Sequence, residues 1–198
     1  MAGSATISWI NNSSITYATW NPLDKSVNTV LSNGDLTASV TGGVDQQVRA
    51  TIGKSSGAWY WEYSSINMNL EPNSTWGISQ ITDSLNTYPG YDVHSYALAN
   101  GYGGTWHDRI TLGFGGYNSY TTGLTDDSII VGFGLDMDLG TLTIYYNGVS
   151  QGVAFTGLTG TFYPASGSYA GYALQTIANF GQNPFTFGVP SGYNAGLY

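Results

Sequence analysis

The fold of this chain is decided by the stretch Val131-Gly-Phe-Gly-Leu-Asp-Met-Asp-Leu-Gly-Thr-Leu-Thr-Ile-Tyr-Tyr-Asn-Gly-Val149. Large apolar side chains recur at every second position on both sides of its centre, which is the period of a half-buried β-strand. Pairing Asp136 with Thr141 brings these side chains onto one face, whereas a slip of one residue scatters them. The stretch therefore predicts an antiparallel hairpin, in whose turn Asp138 accepts a backbone hydrogen bond and Gly140 supplies a positive φ.

A second hairpin follows directly, because Asn147-Gly148 is the typical two-residue loop of the primed turn types and Val149 begins the return strand. Elsewhere, short runs rich in β-branched and aromatic residues alternate with Gly, Asn, Pro and Ser, without a helical stripe. The run Trp59–Tyr63 is aromatic on both faces, which indicates a strand covered on both sides. The sequence thus predicts a nearly all-β protein.

The predicted strands are listed here in chain order: Thr6 to Ile10, Thr29 to Leu31, Asp35 to Val40, Gln47 to Ile52, Trp59 to Ile66, Thr75 to Ile81, Ser95 to Leu98, Ile110 to Leu112, Ser128 to Asp136, Thr141 to Tyr146, Val149 to Phe155, Tyr163 to Gly167 and Thr176 to Phe180. Their number and spacing are typical of a β-sandwich.

Composition narrows the class of protein. The 198 residues suit one β-domain, and twelve acidic against four basic residues give a net charge of −8. This charge repels phosphate backbones and anionic lipid head groups, so nucleic acid is excluded as a partner. The chain has no cysteine, and it contains neither a signal-peptide pattern nor an apolar run of about 20 residues. We therefore expect a soluble protein without membrane insertion.

Five ordered motifs resemble a known family, the SPRY (B30.2-like) domains. They are Gly57-Ala-Trp-Tyr-Trp-Glu-Tyr63, Trp76-Gly-Ile78, the Asp127 to Asn147 block, Phe162-Tyr-Pro-Ala165 and Ala178-Asn-Phe-Gly-Gln-Asn-Pro-Phe185. The similarity extends from about Trp20 to Phe187. Trp20-Asn-Pro and the closing Asn-Phe-Gly-Gln-Asn-Pro-Phe-Thr-Phe look most like SPRY modules of bacteriophage tail and virion proteins.

This resemblance implies an all-β, two-sheet antiparallel β-sandwich, a concanavalin A-like jelly roll whose loops bind a partner and perform no chemistry. We expect residues 20–189 to form this sandwich, residues 1–19 to form an extra strand or a connecting arm, and residues 190–198 to form a C-terminal tail. No binding residue is carried over from the family, because its contact loops fall where this sequence matches no family motif.

Catalytic and metal-binding patterns are weak. Asp136 and Asp138 suit a turn better than a pair of catalytic carboxylates, and Asp126-Asp127 precede a strand. Glu62 is more suggestive, but a semi-buried carboxylate between Tyr60 and Arg49 or Lys54 is more often a paired or hydrogen-bonded structural group. Two histidines without cysteine do not suit structural zinc, and no EF-hand loop occurs. We expect no enzyme activity, no cofactor and no metal site.

The segment from Asp83 to Asp127 has the composition of a binding surface, because Tyr, Trp, Ser, Gly and Asn give large contact areas at low entropic cost. Aromatic rings there would stack on sugars or on protein, and polar groups would orient the ligand. The alternative is that the rings fold back as small cores beneath long loops. The candidate binding residues are Tyr88, Tyr91, His94, Tyr102, Trp106, His107, Asp108 and Tyr117.

These observations favour a non-enzymatic recognition module, displayed on a virion or extracellular surface, that binds a carbohydrate or protein receptor through the Tyr-rich loops. A structural virion protein, acting as a capsid decoration or tail adaptor that docks on other virion proteins, is the alternative. A further hypothesis is an intracellular adaptor that binds short peptides, and the low lysine content argues against it. Whether the chain forms a homo-oligomer is left open.

Overall fold

A computed structural model describes residues 15–40, 43–66, 74–99, 104–107, 117–119, 129–169 and 174–198. Its strands are β1 (Trp20–Lys25), β2 (Thr29–Ser32), β3 (Thr37–Val40), β4 (Gln46–Ala50), β5 (Ala58–Ile66), β6 (Ser74–Ser79), β7 (Ser95–Ala99), β8 (Gly104–His107), β9 (Tyr117–Ser119), β10 (Val131–Asp136), β11 (Thr141–Tyr146), β12 (Val149–Thr156), β13 (Tyr163–Ser168), β14 (Leu174–Asn179) and β15 (Asn194–Ala195).

Two antiparallel sheets form the sandwich that the sequence predicts. Within the described ranges, sheet I has seven strands in the order β1-β4-β13-β6-β7-β8-β9. Sheet II has eight, in the order β12-β11-β10-β5-β14-β3-β2, with β15 added in parallel to β5. No helix in the described part of the chain is long and apolar enough to cross a membrane.

The hairpin quoted first has the predicted register. Val131 pairs with Tyr146 and Asp136 with Thr141, and the next turn has positive φ at both Asn147 (46°) and Gly148 (76°). The turn that joins β10 to β11 differs in one respect. Asp136 Oδ1 accepts from the N–H groups of Asp138 and Leu139, at 3.0 and 2.9 Å. Asp138 instead accepts from Gly57 N, at 2.8 Å, so the prediction that Asp138 caps its own turn is wrong.

The core lies between the two sheets and is largely aromatic. Trp61 stacks on Phe133 with ring centroids 5.5 Å apart, and Trp20 packs against Tyr63 at 5.4 Å. All four side chains are at most 1% exposed. Trp76 Nε1, from sheet I, donates to Thr176 Oγ1 of sheet II at 2.8 Å, which satisfies a buried donor and ties the sheets together.

The outer face of sheet II is covered by the segment after β14, which explains why β5 is aromatic on both sides. Phe185 packs edge-on against Tyr60, at 5.2 Å, and Tyr193 lies so close to Gly134 that a Cβ there would be 2.7 Å from its ring. Residues 190–198, expected as a C-terminal tail, include β15 and the fully buried Leu197, whose carbonyl accepts from Ala18 N.

Glu62 fastens this covering segment. Its carboxylate is 3% exposed and accepts from the backbone N–H of Thr186 at 2.8 Å, from that of Phe187 at 3.1 Å and from Tyr60 Oη at 3.3 Å. The structural interpretation of Glu62 and its placement beside Tyr60 are thus correct, but its other partners are backbone N–H groups rather than Arg49 or Lys54. Such hydrogen bonds stabilise a buried carboxylate without a counter-ion.

Four strands lie outside the predicted runs, namely β1, β8, β9 and β15. The sequence of β1 contains Pro22 and has no alternation of apolar and polar residues, and its pairing with β4 is irregular. It therefore gave no strand signal. The predicted strands Thr6 to Ile10 and Ile110 to Leu112 lie outside the described residues.

Replacing Glu62 by Ala is expected to lower the free energy of unfolding by about 2 kcal/mol, because hydrogen bonds to a charged acceptor are lost. Glu62→Gln keeps one acceptor oxygen and is expected to lose about 1 kcal/mol. Urea unfolding followed by tryptophan fluorescence measures both. The matched control is Asp138→Ala, which removes an exposed carboxylate bound to one N–H. A loss for Glu62→Ala no larger than for this control would contradict the anchoring role.

Candidate functional site

The β6–β7 loop, Gln80–His94, is organised by one buried cation. Arg49 lies in β4 between Val48 and Ala50, which point into the core, so its side chain faces outward from sheet I. It is nevertheless only 2% exposed. Its guanidinium forms a forked ion pair with Asp24 of β1, with Nε 2.7 Å from Oδ2 and Nη2 2.8 Å from Oδ1.

The remaining donors of Arg49 hold the start of the loop. Nη1 donates to the carbonyl oxygens of Gln80 at 3.1 Å and Asp83 at 3.0 Å. The two ends of the loop are joined by a hydrogen bond from Gln80 N to the His94 carbonyl, at 3.2 Å. A buried guanidinium needs such partners for its donors, so Arg49 fixes the path of residues 80–83.

Tyr88 anchors the middle of the loop against sheet I. It is 1% exposed and makes edge-on contacts with Tyr91, at 5.4 Å between ring centroids, and with Tyr169, at 5.6 Å. Gly167 in β13 leaves the room that this requires, because a Cβ there would lie 2.6 Å from Pro89 Cδ. Tyr88 is therefore part of a small core beneath the loop and is not an exposed contact residue.

The loop leaves an open depression of about 340 Å³ at its surface. The lining residues are Thr82, Asp83, Ser84, Asp92, Val93 and His94. Ile81 and Val93 stand at this surface with 57% and 43% of their area exposed, and the His94 side chain is 52% exposed. We call Ile81, Thr82, Asp83, Asp92, Val93 and His94 the loop surface. It combines exposed aliphatic groups with carboxylates.

Asp83 is the buried acid of the loop surface, since only 2% of its side chain is exposed. Its Oδ2 accepts from Ser79 Oγ at 2.9 Å, and its Oδ1 lies 3.5 Å from His94 Nδ1. Burial raises the pKa of Asp83, the hydrogen bond from Ser79 opposes that shift, and the negative charge of Asp92 adds to it.

The other candidate residues lie in different surroundings. His107, at the end of β8, stacks on Tyr96 with centroids 3.9 Å apart, and its Nδ1 lies 3.0 Å from the Ser95 carbonyl. Trp106 and Tyr117 occupy paired positions of β8 and β9. Tyr102 and Asp108 lie outside the described residues. Of the predicted set, the structure brings only Tyr88, Tyr91 and His94 together in the β6–β7 loop.

Neither a metal centre nor a catalytic pair emerges from the described residues. In the ranges given above, no group of three or more His, Asp or Glu side chains is arranged to hold a metal ion. Glu62 is occupied by backbone N–H groups, Asp136 caps the β10–β11 turn, and Asp138 accepts from Gly57 N. The pair Asp126-Asp127 lies outside the described part of the chain.

Sequence reasoning missed Arg49 and Asp24, which hold the loop, as well as Ile81 and Val93, which it exposes. A lone arginine inside a predicted strand was the available signal, because a charge there has to be paired. Asp24 is 25 residues away in a strand without a pattern, so no spacing rule could have named it.

Comparison with known proteins assigns the family. The sequence profile described as "SPRY domain" matches residues 58–183. The chain belongs to the SPRY domain family. It is 33% identical over 184 residues to Ran-binding protein 9 of Xenopus laevis, covering 86% of this chain and 31% of that protein. It is 30% identical over 152 residues to the E3 ubiquitin-protein ligase TRIM9 of Drosophila melanogaster, covering 73% and 19%.

Solved structures agree on the fold. The SPRY domain of human HERC1 superposes with a TM-score of 0.69 at 17% sequence identity, covering 83% of this chain and 99% of that domain. The all-β, two-sheet SPRY jelly roll is thereby confirmed. The chain spans about a third or less of the length of the curated relatives named here.

Family membership settles the coarse function and corrects two expectations. SPRY domains are protein–protein interaction modules rather than enzymes, which is a statement about this domain alone. The expected placement on a virion or extracellular surface is wrong, because the relatives are a Ran-binding protein and a ubiquitin ligase of animals, which point to an intracellular setting. The particular similarity to phage modules is unsupported for the same reason.

Arg49→Met is expected to lower the free energy of unfolding by about 3 kcal/mol, because it leaves Asp24 and several loop carbonyls without their buried donor. The control is Lys54→Met, which removes a cation that lies 3.4 Å from the Trp59 ring centroid and is expected to cost less than about 1 kcal/mol. Urea unfolding compares the two variants. Equal losses would mean that Arg49 does not hold the fold.

Asp83→Asn is expected to become more stable relative to the wild type as pH rises. The folded-state pKa of Asp83 is raised, so its favourable contribution is complete below the unfolded pKa and is lost as pH rises through the folded value. The variant lacks this titration. Melting temperatures between about pH 3 and pH 7 measure the difference, in which the other carboxylates largely cancel. A difference that falls with rising pH would contradict this assignment.

Proposed function

We propose that this SPRY domain binds a short segment of a partner protein through the loop surface. The observation that carries the proposal is a loop that is held rigidly from below and yet exposes aliphatic side chains. Arg49 fixes residues 80–83, and Tyr88 is buried beneath the loop. Ile81 and Val93 point away from that support and are 57% and 43% exposed.

Rigidity favours binding because a preorganised surface loses little conformational entropy when a partner docks. The aliphatic groups supply the apolar area of a contact, and Asp83, Asp92 and His94 supply polar groups that orient it. A depression of about 340 Å³ accommodates one or two side chains of a partner. These features suit a short protein segment seated on the loop.

A carbohydrate ligand fits this surface less well. Sugar binding commonly uses the exposed face of an aromatic ring. Among the side chains described in the loop, Tyr88 is buried and Tyr91 is half-buried against it. The large apolar side chains that the loop exposes are the aliphatic Ile81 and Val93. We therefore favour a protein partner over the carbohydrate receptor that the sequence also allowed.

The proposal is tested by selecting peptides from a displayed library of random 12-residue sequences on the immobilised domain, followed by affinity measurement in solution. The double variant Ile81→Asp, Val93→Asp is expected to weaken the selected peptides at least about tenfold, because charge replaces the apolar contact. Val149→Asp is the matched control, since Val149 is 65% exposed and begins β12, outside the loop surface. Its affinity should match the wild type.

Both variants are checked by thermal unfolding, so that a folding defect is separated from a binding defect. Peptides that bind the double variant as tightly as the wild type would place the binding surface elsewhere. Selection that enriches no peptide over the double variant would count against the loop surface as a binding site.

A further inference from the structure

The floor of the depression carries negative charge that no described lysine or arginine neutralises. Asp83 and Asp92 both line it, and His94 is the basic group among its lining residues. The two carboxylates are close, since the charge of Asp92 contributes to the raised pKa of Asp83. Arg49 lies nearby, but its guanidinium is committed to Asp24 and to loop carbonyls.

The remaining cations of the described residues are engaged elsewhere. Lys25 Nζ donates to the Thr29 carbonyl at 2.6 Å, and Lys54 lies over the Trp59 ring. A carboxyl group that is 98% shielded, as Asp83 is, has lost most of its hydration and depends on nearby donors. Ser79 provides one donor, and His94 Nδ1 lies 3.5 Å from the other oxygen. A positively charged donor from outside would therefore be stabilised here.

The apolar side chains beside the depression also restrict which partner side chain fits it. Val93 lines the depression and remains exposed, and Ile81, which precedes the lining residue Thr82 in the chain, is exposed as well. The stems of lysine and arginine are aliphatic, so such a side chain can pack along apolar groups while its charged end reaches a carboxylate. The volume of about 340 Å³ fits one such side chain.

We infer that the depression takes a lysine or arginine side chain of the partner segment, with an aliphatic neighbour of that residue packed on Ile81 and Val93. This inference rests on the proposed function, because it names the chemistry of the partner that binds the loop surface. Arginine fits better than lysine, since its planar fork can contact two carboxylate oxygens at once. Phosphorylated or acidic segments are repelled by the same floor and by a chain of net charge −8.

The test uses the peptides selected above, resynthesised with each arginine replaced by the neutral isostere citrulline and each lysine by norleucine. Binding is measured against the wild type, Asp92→Asn and the double variant Asp83→Asn, Asp92→Asn. We expect basic residues to be enriched among the peptides. We expect the double variant and the neutral peptide each to weaken binding at least about tenfold. When the double variant is measured with the neutral peptide, the loss of binding free energy should be smaller than the sum of the two separate losses.

Asp35→Asn is the matched control. It removes one negative charge elsewhere, and Asp35 has a φ of 61°, a conformation that asparagine also adopts readily. Unchanged affinity for Asp35→Asn, together with a loss for Asp92→Asn, assigns the effect to the depression and not to net charge. Equal losses for both variants would overturn the inference.

The two proposals fail in different ways. Peptides that depend on Ile81 and Val93 but carry no basic residue, or whose basic residues show no coupling to Asp83 and Asp92, would overturn the inference and leave the loop surface as the binding site. Peptides insensitive to Ile81→Asp, Val93→Asp would overturn both. A selection that enriches nothing over that double variant counts against both as well.

Discussion

The buried guanidinium of Arg49 is the interaction on which the arrangement of the loop surface depends. A cation removed from water has to meet partners for its donors, and Arg49 finds them in Asp24 and in the carbonyls of Gln80 and Asp83. One side chain thus joins β1, β4 and the β6–β7 loop. Because the partners are fixed in number and direction, the loop has little freedom to take another path.

On sheet II, a buried charge of the opposite sign likewise holds an irregular segment in place. The carboxylate of Glu62 accepts two backbone N–H groups from the segment after β14 and so holds that segment on the outer face of its sheet. On each sheet, an irregular segment covers a strand face and is fastened by one buried charge. Small residues make room beneath both segments, since Gly167 lies against Pro89 and Gly134 against Tyr193. Each covering segment is therefore held by a buried charged side chain and accommodated by a glycine that lacks a side chain.

Sequence patterns predicted those strands and turns that are determined by residues close together in the chain. The β10–β11 register followed from a period of two, because only one pairing keeps the apolar side chains on one face. The turn residue was assigned to Asp138 rather than Asp136, since both can accept a nearby N–H and the sequence does not say which carboxylate Gly57 will engage. Strand β1 was missed because its pairing with β4 is irregular and its sequence has no alternation.

The candidate site depended on contacts that are distant in the chain. Composition drew attention to the tyrosines from Asp83 onward, but it could not tell a buried ring from an exposed one, and Tyr88 is buried. Ile81 and Val93 gave no signal, because an isolated aliphatic residue in a loop is ordinary in sequence. Their exposure acquires meaning only from the rigid loop that presents them. Short motifs also say little about cellular placement: Trp20-Asn-Pro and the closing Asn-Phe-Gly-Gln-Asn-Pro-Phe-Thr-Phe suggested a virion, whereas the relatives are a Ran-binding protein and a ubiquitin ligase of animals.

A rigid support and an adaptable contact surface make different demands on sequence. The support needs Arg49, Asp24 and Tyr88 at fixed positions, because each is buried and replacing it would leave a cavity or an unpaired charge. The exposed positions 81, 82, 93 and 94 carry no such constraint. Substitutions there change the apolar area and charge offered to a partner at little cost in folding free energy. A loop built in this way can therefore change its partner while the sandwich that carries it stays the same.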